Sequence, residues 1–160
     1  MPVTVEKHSC STVKLRIPND ILLGETAGLL AQGESVILKA VGNSMLPFIR
    51  GGKDNVLLSP PFHVERGQIA LVCLPDGRYI LHRIIHIKGE NITLMGDGNI
   101  RQIEHCTLSD IKGIVTRVIH AKGETDCTSP AERLKARTWF LLRPLRRYLL
   151  FICKHLWNTN

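Results

Sequence analysis

The stretch "QIALVCLPDGRYILHRIIHIKGENITLM", Gln68 to Met95, decides the fold class. It contains three runs rich in β-branched residues, at 68–74, 78–87 and 91–95, separated by "PDG" at 75–77 and "KGEN" at 88–91. Apolar runs of this length bounded by Gly, Pro, Asp and Asn read as strands, and "LPDGRY" between two of them reads as a hairpin. The same texture recurs at 35–41 ("SVILKAV"), 55–59 ("NVLLS") and 111–119 ("IKGIVTRVI"). Turn signals stand between them at Gly51-Gly52, Pro60-Pro61 and "GDGN" at 96–99. The predicted fold class is therefore mainly β, an antiparallel folded sheet or barrel of six or seven short strands.

Helical and irregular segments flank this core. Residues 1–17 alternate weakly and are expected to form an edge strand or a loose arm. Pro18-Asn19-Asp20 supplies a helix start and Gly33 a stop, with Ile21, Leu22, Leu29 and Leu30 as the expected apolar side. Residues 120–132 are polar and turn-rich and read as a linker. Beyond it, Leu145, Tyr148, Leu149, Ile152 and Leu156 recur with helical period, and Pro144 suits the first turn of that helix. The expected organisation is an arm and short helix at 1–34, a β core at 35–119, a linker at 120–132 and a basic amphipathic helix at 133–160.

Charge divides along the same lines. Residues 1–130 carry 14 Lys/Arg against 13 Asp/Glu, whereas residues 131–160 carry 7 against 1. A nearly neutral body argues against nucleic acid as a partner, and the basic tail points to a local electrostatic task. Arg143, Arg146, Arg147 and Lys154 lie off the apolar stripe, and four cations there make crossing a bilayer costly. The tail is expected either to pack on the domain as a solvated helix or to lie on a membrane surface through these cations. No run of 18 uncharged apolar residues occurs, and no charged region followed by a long apolar run opens the chain, so neither a transmembrane helix nor a signal peptide is expected. Five scattered cysteines, without CxxC or Cys/His ligand spacing, suggest a reducing compartment and no zinc.

Chemistry concentrates in "GNSMLP" at 42–47. A serine hydroxyl needs a base within hydrogen-bond reach to act as a nucleophile. In the strong strands the candidates are His82, His86 and Lys39. An imidazole at His82 would take the Ser44 proton near neutral pH and return it to a leaving amine. Asp97 is the expected support for the imidazolium, completing a catalytic set of Ser44, His82 and Asp97. Gly42, Asn43, Met45 and Pro47 shape the turn, and backbone amides around Ser44 are the expected oxyanion donors. His82 and His86, four apart on a strand, would share a face, but "HRIIH" lacks the acid of a zinc-peptidase box. No metal and no cofactor are expected.

Taken jointly and in this order, "GNSMLP", "LHRII" and "GDGN" resemble the S24/S26 serine peptidases, the type I signal peptidases and the autocleaving LexA-type repressors. "RGGKDNVLL" stands where that family has Gly-Asp and a strand, and "ERGQIALV" where it has G-D-I-V, with Gln68 replacing the acid. "LHRII" is similar to the box of histidine-type signal peptidases, in which a second acid follows the G-D box; Glu104 holds that place here. Lys39 precedes the serine, unlike the family's lysine. The resemblance spans about residues 35–119 and implies a signal-peptidase-like endopeptidase acting on a leader or precursor peptide held as an added strand along the His82 strand. A cytoplasmic location, peripheral at the inner membrane face, is the matching expectation. Two alternatives stay open: a LexA-like regulator cutting itself at a bond such as Ala27-Gly28, and an inactive peptide-binding module.

Overall fold

The hairpin texture of 68–95 becomes three consecutive antiparallel strands in the computed structural model, which describes residues 19–158. The elements are α1 (Asn19–Ala31), β1 (Val36–Lys39), β2 (Asn55–Ser59), β3 (Ile69–Cys73), β4 (Tyr79–Lys88), β5 (Asn91–Met95), β6 (Glu104–Thr107), β7 (Ile111–His120), β8 (Gly123–Asp126), α2 (Pro130–Leu141) and α3 (Arg146–Asn158). Short 3-10 turns at Leu108–Asp110 and Arg143–Leu145 complete them. The strands form one curled antiparallel sheet in the order β1-β2-β7-β3-β4-β5-β6, with β8 also on β7.

The long β7 organises the sheet. Ile114 opposes Ser59 of β2 on one side and Ala70 of β3 on the other, and β8 takes over from β3 along Arg117–His120. Alternation along β3 then fills both faces of the sheet. Ile69 and Leu71 join Leu30, Met45, Ile49, Val56 and Val118 in one cluster. Ala70 and Val72 join Ile84, Ile92, Leu94, Cys106 and Ile114 in another. Each fully buried Leu, Ile or Val contributes about 1.5–3 kcal/mol relative to exposure, so this two-sided core dominates the fold's stability.

Several expectations are corrected. The segment 120–132 is no linker: β7 runs through His120, β8 follows, and Ser129 caps α2 by accepting from the Glu132 amide. In α1 the buried positions are Thr26 and Leu30, with Leu23 packed beside them, while Ile21, Leu22 and Leu29 are exposed. Leu30 lies over Gly113 of β7, which fixes that helical face inward. The basic tail is two helices, with Pro144 in the 3-10 turn joining them. Among the described residues no helix is long and apolar enough to cross a membrane. The expectations for residues 1–18, and for the side chains of Lys154 and Leu156, fall outside the described part.

Candidate active site

Ser44 sits in a tight turn between β1 and β2. Gly42 adopts φ +79°, a conformation other L residues rarely take, and Gly51 packs so closely on it that an added Cβ would overlap the Gly42 carbonyl. The chain folds back through bonds from the Gly52 amide to Ala40 O (2.8 Å) and from Ile49 to Met45 O (3.0 Å). Met45 and Ile49 thereby drop into the core and leave Ser44 half-buried above them. The Leu46–Pro47 peptide is cis. Among the described residues, the amides of Ser44 and Met45 have no protein acceptor, so both remain available as oxyanion donors.

Arg50 and Asp54 hold the end of this turn. The Arg50 guanidinium and its amide both donate to the fully buried Asp54 carboxylate, and His120 approaches it at 3.1 Å. Burial pulls the Asp54 pKa upward, but the hydrogen bonds from Arg50 and the contact with His120 outweigh it and hold the group below its ordinary value.

His82 is buried on β4 (5% exposed) and lines the same cleft as Ser44. Its Nδ1 lies 2.8 Å from Glu104 Oε2 on β6. A carboxylate accepts, so in the neutral form of the ring Nδ1–H donates to Glu104 and Nε2 carries the lone pair. Gln102 Nε2 donates to the other Glu104 oxygen at 2.8 Å and steadies it. The approach is permitted by Gly96, just beyond β5. A Cβ there would stand 2.5 Å from Ser44 O and 3.0 Å from His82 Nε2. Those two atoms are thus no further apart than the two distances together. Ser44 Oγ makes no hydrogen bond to His82 in this structure, although the two residues line one cleft.

Asp97, expected beside the imidazole, is instead bound to Arg83. The guanidinium donates to both carboxylate oxygens, at 2.8 Å from Nε to Oδ1 and 2.6 Å from Nη2 to Oδ2. Arg83 also donates to Gly67 O at 2.6 Å and lies over the Phe48 ring at 4.9 Å. With its oxygens so engaged, Asp97 fixes the "GDGN" loop, and Glu104 holds the imidazole. The loop in turn holds the Ser44 turn, since the Gly98 amide donates to Ser44 O at 2.7 Å.

The same loop is gripped from behind by the C-terminal helices. Trp139 Nε1–H of α2 donates to Asp97 O at 2.9 Å, and Arg146 Nη1 of α3 donates to Asn99 O at 2.9 Å. Arg146 is 2% exposed and packs at 5.5 Å over the Trp139 ring, so it is an internal clamp and not the surface cation expected. Burial pulls its pKa below the ordinary guanidinium value, with the Asp97 charge opposing. Arg143 and Arg147 are exposed as expected.

The remaining candidates stand apart. A β-bulge between Ile84 and His86 breaks the shared face predicted for the two histidines, leaving His86 exposed. Lys39 is exposed on the cleft rim. Burial pushes the thiols of Cys106 and Cys127 up to about 11, and neither lines the cleft. Among the described residues no three metal-ligating side chains cluster.

The cleft itself measures about 810 Å3 and runs between residues 38–42, at and just beyond the end of β1, and residues 78–82, at the start of β4. Met45, Ile49, Val56 and Leu71 form its apolar floor. β5 ends opposite Arg83, so the 79–82 segment of β4 is paired with β3 alone and keeps a free edge. β1 likewise pairs only with β2. A peptide-sized slot with backbone edges on both sides ends at Ser44 and His82. Glu104 and Gln102 were hard to find from sequence, because β6 is short and polar and Gln102 lies in the loop before it; the only signal was an acid after the "GDGN" box. No family model matches this chain, and no curated protein matches it significantly.

Proposed function

We propose that this chain is a serine endopeptidase of the S24/S26, signal-peptidase-like type, in which Ser44 attacks, His82 serves as base and Glu104 orients His82. The observation that carries the reading is the buried Glu104–His82 hydrogen bond, which turns an imidazole with a free Nε2 into the cleft that Ser44 lines. In the reaction, Ser44 Oγ adds to the peptide carbonyl as its proton passes to His82 Nε2. The oxyanion is met by the Ser44 and Met45 amides, and the imidazolium gives its proton to the departing amine. Water, activated by the same imidazole, then releases the acyl group and restores Ser44. The free edges at 79–82 and on β1 support an extended leader or precursor peptide as the substrate.

The test is incubation of the full chain with a library of unstructured peptides, read by mass spectrometry. The expected result is cleavage that Ser44→Ala and His82→Ala each reduce by at least about 10³-fold, with the unfolding temperature of Ser44→Ala unchanged. One observation favours a second reading, a peptide-binding module without turnover: Ser44 Oγ makes no hydrogen bond to His82. Peptides bound by the wild type but recovered intact would select that reading. A LexA-like self-cut at Ala27-Gly28 is disfavoured because that bond lies inside α1, where the backbone is helical and not extended.

A further inference from the structure

An amphipathic helix packed on its own domain turns its apolar stripe inward. α3 does the reverse. Leu145, Tyr148 and Ile152, three members of its sequence stripe, are exposed by 53%, 67% and 52%, and Phe151 beside them by 74%. What the helix buries is Arg146 and Leu150. At 100° per residue, the exposed apolar side chains from Leu145 onward fall within an arc of about 120°. Leu141, at the end of α2, adds another exposed apolar side chain. Leu149 of the stripe is half-buried against Leu46, Trp139 and Leu150, but the exposed members are not needed for anchorage. Arg146 holds the helix to Asn99 and Trp139, and Leu150 joins Leu46 and Trp139 in a separate cluster.

We infer that this outward face, Leu141, Leu145, Tyr148, Phe151 and Ile152, with Arg147 at its margin and the exposed Arg143 in the preceding turn, docks onto an anionic phospholipid surface. Charge selects the occupant. Of the 7 cations in residues 131–160, Arg146 is internal and Arg133 and Lys135 pair with Glu65 and Glu132, whereas the exposed Arg143 and Arg147 have no ion-pair partner among the described residues. A second copy placed on this face would bring arginines against arginines, whereas lipid phosphates neutralise them. Apolar side chains rimmed by arginines, with a tyrosine among them, suit the boundary between headgroups and acyl chains. A 13-residue helix is too short to span the hydrocarbon and is suited to lying in its surface. The inference is independent of what Ser44 does.

The experiment is co-sedimentation of the full chain with vesicles of phosphatidylglycerol and phosphatidylcholine in equal parts, against vesicles of phosphatidylcholine alone. The expected result is binding at least ten-fold tighter to the anionic vesicles and weakened by added salt. Arg143→Glu with Arg147→Glu should remove that preference, and Phe151→Glu with Ile152→Glu should abolish binding while leaving the unfolding temperature unchanged. The salt dependence of the wild type provides a readout that needs no variant. Equal binding to both vesicles, or binding to neither, overturns the inference. Concentration-dependent dimerisation without vesicle binding overturns it too, and assigns the face to a second copy.

Discussion

Asp97 and Glu104 are both acids that follow His82 in the chain, yet their environments give them opposite work. Asp97 neutralises a buried guanidinium, whereas Glu104 accepts from an imidazole whose other nitrogen is free. The two should therefore fail differently. Asp97→Asn leaves Arg83 buried without its counter-charge, a loss of about 3–5 kcal/mol. That should lower the unfolding temperature by about 10 °C or more, measured by calorimetry. Glu104→Gln keeps the shape but offers an amide where a carboxylate fixed the tautomer. It should reduce peptide turnover by about two to four orders of magnitude, with KM and unfolding temperature little changed. Comparable stability losses in both variants would remove Glu104 from the proposed site.

At the scale of elements, the C-terminal helices are part of the site's foundation. Trp139 bonds the Asp97 carbonyl, and its ring meets Phe48 edge-on at 6.1 Å. Trp139→Phe keeps most of the ring contact but strands a buried carbonyl, which costs about 1–3 kcal/mol. The expected result is a lower unfolding temperature together with a reduced kcat, because the loop behind Ser44 loosens. An unchanged kcat would make the helices mere cover. Elements also mark where sequence reading succeeds. β2 and β5 were legible to the residue in "NVLLS" and "NITLM", whose β-branched residues are bounded by turn formers. β6 ("EHCT") and β8 ("GETD") were not, because they are short and polar and owe their form to pairing with a longer neighbour. For α3 the helical period was plain, but period identifies a stripe without saying which way it faces. The inward position of Arg146 depends on Asn99 and Trp139, partners that only the tertiary fold supplies.

For the whole molecule, acid is the informative perturbation. Asp54 is held below its ordinary value in the fold, and hydrogen bonds from Arg78, Thr107 and Thr128 hold Asp76, Asp110 and Asp126 low as well. A carboxylate whose folded pKa is depressed stabilises the fold above its unfolded value, and that contribution fades as pH falls through the folded one. Unfolding temperature should thus be level near neutrality and fall below about pH 4. Asp54→Asn should lower it at neutral pH and make the acid decline shallower, as followed by circular dichroism. An acid decline as steep as that of the wild type would mean Asp54 takes no part in it.

The clamp between Arg146 and Asn99 joins residues 47 positions apart in the chain. Synthesis proceeds from the N-terminus at about 5–20 residues per second, so Ser44, His82 and Glu104 all exist for some seconds before Arg146 does. During that interval the loop behind the serine has no grip from α3. The Ser44 turn is therefore fastened late in translation, and a chain interrupted before α3 would carry every proposed catalytic side chain without the brace that sets them.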